Sequence, residues 1–204
     1  MKILYINDYA DFGGAEVFMN QLAKCMKARG HEVYFALGEC RESERCFKIA
    51  YNKEKRPFAR YFLPWVIKDP WVYEITKKIL KKVKPDVVHL NNLHNITFAP
   101  LIAAKRLKFP TLMTVHDFGV ICIKGNLLRH DNEACHLYGS WRECSKCTKS
   151  SIFSALYRIK KHRDIFKDQV LVATTRLMKK YLENFGLPSH NIYVIPLGVD
   201  IEHF

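Results

Sequence analysis

The sequence predicts an α/β fold: a doubly wound parallel sheet with helices on both faces. Three observations predict it. Short apolar runs alternate with longer segments of helical periodicity from one end of the chain to the other. The first 37 residues already read as strand, loop, helix and strand. And 204 residues, 49% of them hydrophobic, suffice for one full α/β domain with a buried core.

The elements follow in order. Lys2–Asn7 is a short apolar strand, and the loop 8–14 ends in Gly13 and Gly14. From Ala15 to Lys27 apolar residues recur at helical spacing, with Cys25 read as a buried helix residue. Gly30 stops that helix, and residues 31–37 form the second strand. Residues 38–63 are polar, basic and aromatic, a loop or an irregular helix. A helix runs from Pro70 or Trp71 to Lys82, and Pro85-Asp86 introduces the strand Val87–Leu90. A helix over residues 99–107 precedes the strand Thr111–Val115. Residues 116–148 are long, polar and cysteine-bearing, more insertion than core. Helix 152–163, strand 170–173, helix 175–184 and strand 192–195 complete the alternation.

In open parallel sheets ligands bind beyond the C-terminal strand ends. The residues there are Gly13-Gly14, then Asn91 to His94, then His116-Asp117, then Thr174-Thr175. They are rich in hydrogen-bonding groups, which suits a substrate bearing hydroxyls. Glycines at a helix N-terminus let a ligand approach the backbone, where free N–H groups favour an anion. The dinucleotide fingerprint G-x-G-x-x-G is absent, which disfavours a dinucleotide-dependent oxidoreductase. Glu16 reads simply as an acid favouring the helix start.

The formal net charge is +13. It gathers at Lys77–Lys84, at Arg158–Arg163 and between Arg41 and Arg60. Such a field favours an anionic partner: nucleic acid, a phosphorylated substrate or an acidic membrane. No apolar run approaches the roughly 20 residues of a membrane helix, and the first residues do not read as a signal peptide. The expected location is therefore cytoplasmic.

Cys122, Cys135, Cys144 and Cys147 all fall in the insertion. Cys144 and Cys147 have the C-x2-C spacing that clamps a metal. Three readings stand open: a structural zinc held by the four, with His130 and His136 as rival ligands; free thiols; or disulfides, which a reducing cytosol disfavours.

The order of these pieces resembles the N-terminal domain of retaining GT-B glycosyltransferases, the group called glycosyl transferase group 1 or family four. The matching segments are Gly13-Gly14-Ala15-Glu16, Ala28 to Val33, Lys84 to Asn91, and Thr114-Val115-His116-Asp117. Ala173-Thr174-Thr175 and Val194 to Asp200, with Phe204, complete them. The last motif is usually I-P-N-G-V-D, so Leu197 departs from it.

The resemblance implies a Rossmann-like acceptor-side domain over residues 1–195, with its insertion at about 118–148, and an interdomain linker beginning at 196–204. The nucleotide-sugar domain would lie beyond Phe204, and the fragment alone would be inactive. The implied activity is transfer of a sugar from a nucleotide-sugar donor to a glycan or lipid-linked acceptor. His116 would be catalytic, contacting the donor sugar. Gly13, Gly14, Asn91, His94, Asp117 and Thr174 would bind substrate. No cofactor is required in this domain beyond the candidate zinc. Expected partners are the donor, the acceptor, the missing C-terminal domain and an acidic membrane, on whose inner face the protein would sit peripherally. The competing class is a basic nucleic-acid-binding module with a cysteine metal cluster, which the ordered motifs disfavour.

Overall fold

A computed structural model describes residues 1–11, 13–41, 43–49 and 67–198. The described chain forms two compact units, Met1–Thr114 with Pro196–Phe204, and Val115–Ile195. Seven strands alternate with helices, and each pairing described below is parallel, as the sequence predicts.

In the first unit, β1 (Lys2–Asn7) pairs on one side with β2 (Glu32–Leu37) and on the other with β4 (Val87–Leu90). β2 carries the short edge strand β3 (Cys46–Lys48), and β4 pairs with β5 (Thr111–Val115). Five of the six residues of β1 are buried. A central parallel strand is covered on both faces, so its apolar run is continuous rather than alternating. Helix α1 (Gly14–Ala28) buries Met19 and Ala23 among Ile3, Tyr5, Val33 and Leu37. Cys25 is exposed on this helix, correcting its reading as a core residue. It falls outside the stripe that carries Met19 and Ala23, and sulfur content alone does not bury a residue.

Helix α2 (Pro70–Val83) packs on α3 (Ala99–Arg106). The start of α2 is fixed by Asp69, whose carboxylate accepts from the backbone N–H of Trp71 at 2.8 Å and Val72 at 3.0 Å. Pro70 follows at the position where a missing N–H costs nothing. Its end is set by Lys84 in the left-handed region and by Pro85 beyond. The sequence does not announce β3, because a three-residue edge strand has too few positions to show alternation. Of the loop or helix expected over 38–63, residues 50–63 lie outside the described residues.

In the second unit, α4 (Trp141–Thr148) packs on α5 (Ile152–Phe166). β6 (Val170–Ala173) pairs with β7 (Ile192–Val194), with α6 (Arg176–Asn184) between them. Ser151 caps α5 by accepting from the Ser154 N–H at 3.1 Å. Thr175 caps α6 by accepting from Met178 at 3.0 Å. The insertion is more structured than its polarity suggests. It contains α4, it buries Val120, Ile121 and Leu127, and Tyr138 and Phe118 both pack edgewise on Tyr181 of α6. Aromatic side chains anchor a segment whose average composition is polar.

Candidate functional site

Two adjacent parallel strands, β1 and β4, bring the loops that follow them together in the first unit. Asn7, fully buried at the end of β1, is the junction. Its Nδ2 donates to Glu16 Oε1 at 2.6 Å and to the Tyr9 carbonyl at 2.8 Å. Its Oδ1 accepts from the Asn92 N–H at 2.8 Å. Asp8 is buried beside it, and its carboxylate accepts from the backbone N–H of Asn95 and Ile96. Burial pushes the Asp8 carboxyl above its ordinary range, against the lowering effect of those hydrogen bonds and of nearby His94. Gly38, just past β2, makes this arrangement possible. A Cβ there would collide with the Asp8 carbonyl.

Glu16 stands in the first turn of α1, as the sequence predicts, and does more than favour the helix start. It is 3% exposed and anchors the first turn of α1 to β1. Ahead of it, Gly13 stands at the N-cap of α1 in extended conformation, and no side-chain cap is present among the described residues. A Cβ on Gly14 would meet nothing within 4 Å, and one on Gly13 would only touch Glu16 Oε2 at 3.4 Å. The glycines are thus not forced by backbone conformation. They leave open space before a fifteen-residue helix, where backbone N–H groups and the helix dipole favour an anion.

Of the other residues singled out in this unit, His94 is exposed. Asn91 is completely buried and presents no surface to a ligand; its N–H continues the ladder to the Ile6 carbonyl at 2.9 Å. Further down the sheet, buried His89 and Thr114 share a hydrogen bond of 2.8 Å from Nε2 to Oγ1.

His116, Asp117 and Thr174 belong to the second unit and are all half-buried. His116 follows β5 directly. Asp117 accepts from the Gly119 N–H at 2.7 Å, closing the turn after the strand. Thr174 follows β6, while the neighbouring Thr175 is spent as the cap of α6. His162 is fully buried, and its Nδ1–H donates to the Val120 carbonyl at 3.1 Å. Burial depresses its imidazole to about 4, so the ring is neutral at physiological pH.

The four insertion cysteines line one cavity of about 20 Å³, together with Leu128 and Tyr138 among others. Neither His130 nor His136 is among the lining residues; both are exposed. Burial, then the neighbouring thiols Cys122, Cys135 and Cys147, push Cys144 up to about 11. As the side chains stand, no group of three or more His, Cys, Asp or Glu is arranged to hold a metal among the described residues. None of the cysteines is in a disulfide.

Comparison with known proteins supplies the class. Residues 12–203 match the model of Glycosyltransferase Family 4, and the chain belongs to that family. An uncharacterized 42.6 kDa protein in the cps region of Klebsiella pneumoniae is 28% identical over 167 residues. That alignment covers 71% of this chain and 42% of the relative.

Among solved structures, a glycosyltransferase from Rickettsia africae ESF-5 superposes with a TM-score of 0.60 at 20% identity. It matches over 99% of this chain and 44% of the other. HepE of Anabaena in complex with UDP-glucose gives 0.57 at 14% identity, over 99% and 45%. A UDP-GlcNAc 2-epimerase from Neisseria meningitidis bound to UDP-GlcNAc gives 0.54 at 15%, over 95% and 46%. These likenesses show the fold, the N-terminal half of a GT-B architecture. The chain spans under half the length of each of these proteins.

Proposed function

We propose that this chain forms the acceptor-side half of a retaining glycosyltransferase, moving a sugar from a nucleotide-sugar donor to a glycan or lipid-linked acceptor. Family membership sets the reaction class. The observation in the chain itself that supports it is the uncapped start of α1 behind Gly13 and Gly14. Open space there, backed by the Asn7–Glu16 anchor, suits the donor diphosphate or sugar.

His116 would orient the donor sugar through its ring, and Asp117 and Thr174 would supply hydroxyl contacts. In the first unit exposed His94 is the better acceptor contact, since Asn91 is buried. Catalysis of this kind rests on positioning and on stabilising the departing diphosphate. The partner domain that completes such a cleft would contribute the groups for the nucleotide.

The test uses the full-length protein with a panel of nucleotide sugars, reading nucleoside diphosphate release and the anomeric configuration of the product. Acceptor-dependent release with retained configuration is expected. Inversion would overturn the retaining mechanism. Epimerised donor without transfer would overturn the class, since epimerases share this fold.

The proposal includes peripheral attachment to acidic membrane. Its support lies on α5, where Ile152, Phe153 and Leu156 are 48%, 82% and 46% exposed. Lys149 and Lys160 flank them, both exposed. Basic residues near a lipid surface contribute about 1 kcal/mol each, and apolar side chains add insertion. Some cations elsewhere lie over rings: Lys82 over Phe47 and Lys68 over Tyr73. No helix among the described residues is long and apolar enough to span a bilayer. Co-sedimentation with anionic but not neutral liposomes is expected, weakened by salt and by Phe153→Ser. Equal recovery in the supernatant with both lipids would end the membrane part.

A further inference from the structure

The cysteine cavity belongs to neither the glycine loop nor the strand-end residues used above. Three separate pieces of backbone deliver its thiols. Cys122 closes a turn, its N–H bonded to the Phe118 carbonyl at 2.7 Å. Cys135 ends a small hairpin, where Cys135 N–H meets Leu127 O and Arg129 N–H meets Glu133 O, both at 2.8 Å. Cys144 and Cys147 stand three residues apart on one face of α4. Four thiols from a turn, a hairpin and a helix thus share a space with room for about one water-sized sphere.

We propose that Cys122, Cys135, Cys144 and Cys147 bind one zinc ion as four thiolates, and that this ion is structural. The donor set is all sulfur, the choice that favours zinc in closed tetrahedral sites without a position for substrate. Binding is a proton exchange: Zn²⁺ and four thiols give a tetrathiolate complex of charge −2 and four released protons.

Two neighbours answer that negative charge. Lys124 lines the cavity. Arg158 of α5 lies within electrostatic reach of Cys144, and its buried Nε has no hydrogen-bond partner among the described residues. A sulfur-rich anion beside it gives this guanidinium a counter-charge.

As the side chains stand, the sulfurs do not form a closed ligand set. A cysteine has a single side-chain torsion, so turning it moves the sulfur while the backbone stays. The gain is stability for a segment with little core of its own. Leu128 and Leu137 in this region are 40% and 50% exposed, and a metal would add a cross-link to the buried Val120, Ile121 and Leu127.

Elemental analysis of the purified full-length protein tests this. About one zinc per chain is expected, released as a mercurial reagent titrates four thiols beyond those of Cys25, Cys40 and Cys46. Cobalt substitution should give the sulfur-to-metal charge-transfer absorption of a tetrahedral tetrathiolate site. Cys144→Ser and Cys147→Ser should lose the metal, Cys147→His should keep it, and Cys25→Ser, at the exposed cysteine of α1, should not alter it. Metal-free protein with four reactive thiols, a disulfide among the four, or bound iron would each overturn the proposal. Because the readout is metal content, failure here leaves the sugar-transfer reading standing.

Discussion

Asn7 and Glu16 are joined by a buried hydrogen bond, 2.6 Å from Nδ2 to Oε1. It ties the end of β1 to the first turn of α1 and holds the glycine loop from both sides. Removing the carboxylate leaves a buried amide short of a partner, which costs about 1–3 kcal/mol. Glu16→Ala should lower the urea midpoint accordingly, while Glu16→Gln, able to present an oxygen to Asn7, should recover most of the loss. An unchanged midpoint in Glu16→Ala would show that water replaces the bond at no cost.

Gly38→Ala should be damaging although glycine to alanine is the smallest substitution available. The new Cβ would strike the carbonyl of Asp8, while Ile96, 3.5 Å away, would be in ordinary contact with it. Backbone has to move, and the expected loss is about 1–3 kcal/mol. Denaturant unfolding reads it, and hydrogen exchange should show the Asn95 and Ile96 amides released from Asp8.

Acid should weaken the second unit through His162. The imidazole falls from 6.5 to about 4 on folding because burial opposes its charge. Between those values the unfolded chain binds a proton that the folded chain does not. Stability from this residue is therefore complete above about 6.5 and is lost progressively as pH falls toward 4. The expected difference is a few kcal/mol across the window. His162→Gln keeps a donor for Val120 but cannot titrate. The gap between its stability and the parent's should vary with pH in this window, and a constant gap would contradict the assignment.

His116→Ala in the full-length enzyme should reduce kcat by roughly 10²-fold or more while thermal stability changes little. The residue is half-buried just beyond β5. Near-normal turnover would leave His116 a strand-end residue without a part in the reaction.

Much of the fold was legible because parallel strands buried on both faces give continuous apolar runs, as in Ile3–Ile6, and because Pro85 and Gly30 punctuate the elements. Asp69 and Thr175 are local signals too, readable as caps. What escaped the sequence was long-range. Nothing beside Glu16 says that Asn7 will reach it, and nothing beside Gly38 says that Asp8 will lie on it. Asn91 was singled out because its type suits hydroxyls, and its burial beside the Ile6 carbonyl could be read only from the ladder. The cysteines could be grouped from their common segment and C-x2-C spacing. Only the folded turn, hairpin and helix bring all four to one cavity and set His130 and His136 aside.

The carboxylate of Asp8 holds two backbone amides of the loop that follows β4. Asp8 and the Asn95–Ile96 backbone therefore behave as one piece of wall, and neither moves without breaking these hydrogen bonds. Their conformational entropy is surrendered at folding. A ligand arriving before α1 meets a preorganised surface on this side, so its free energy of association is not drained by arranging these loops. Where substrate capture does involve motion, the slow coordinate should be displacement of whole bodies rather than loop ordering.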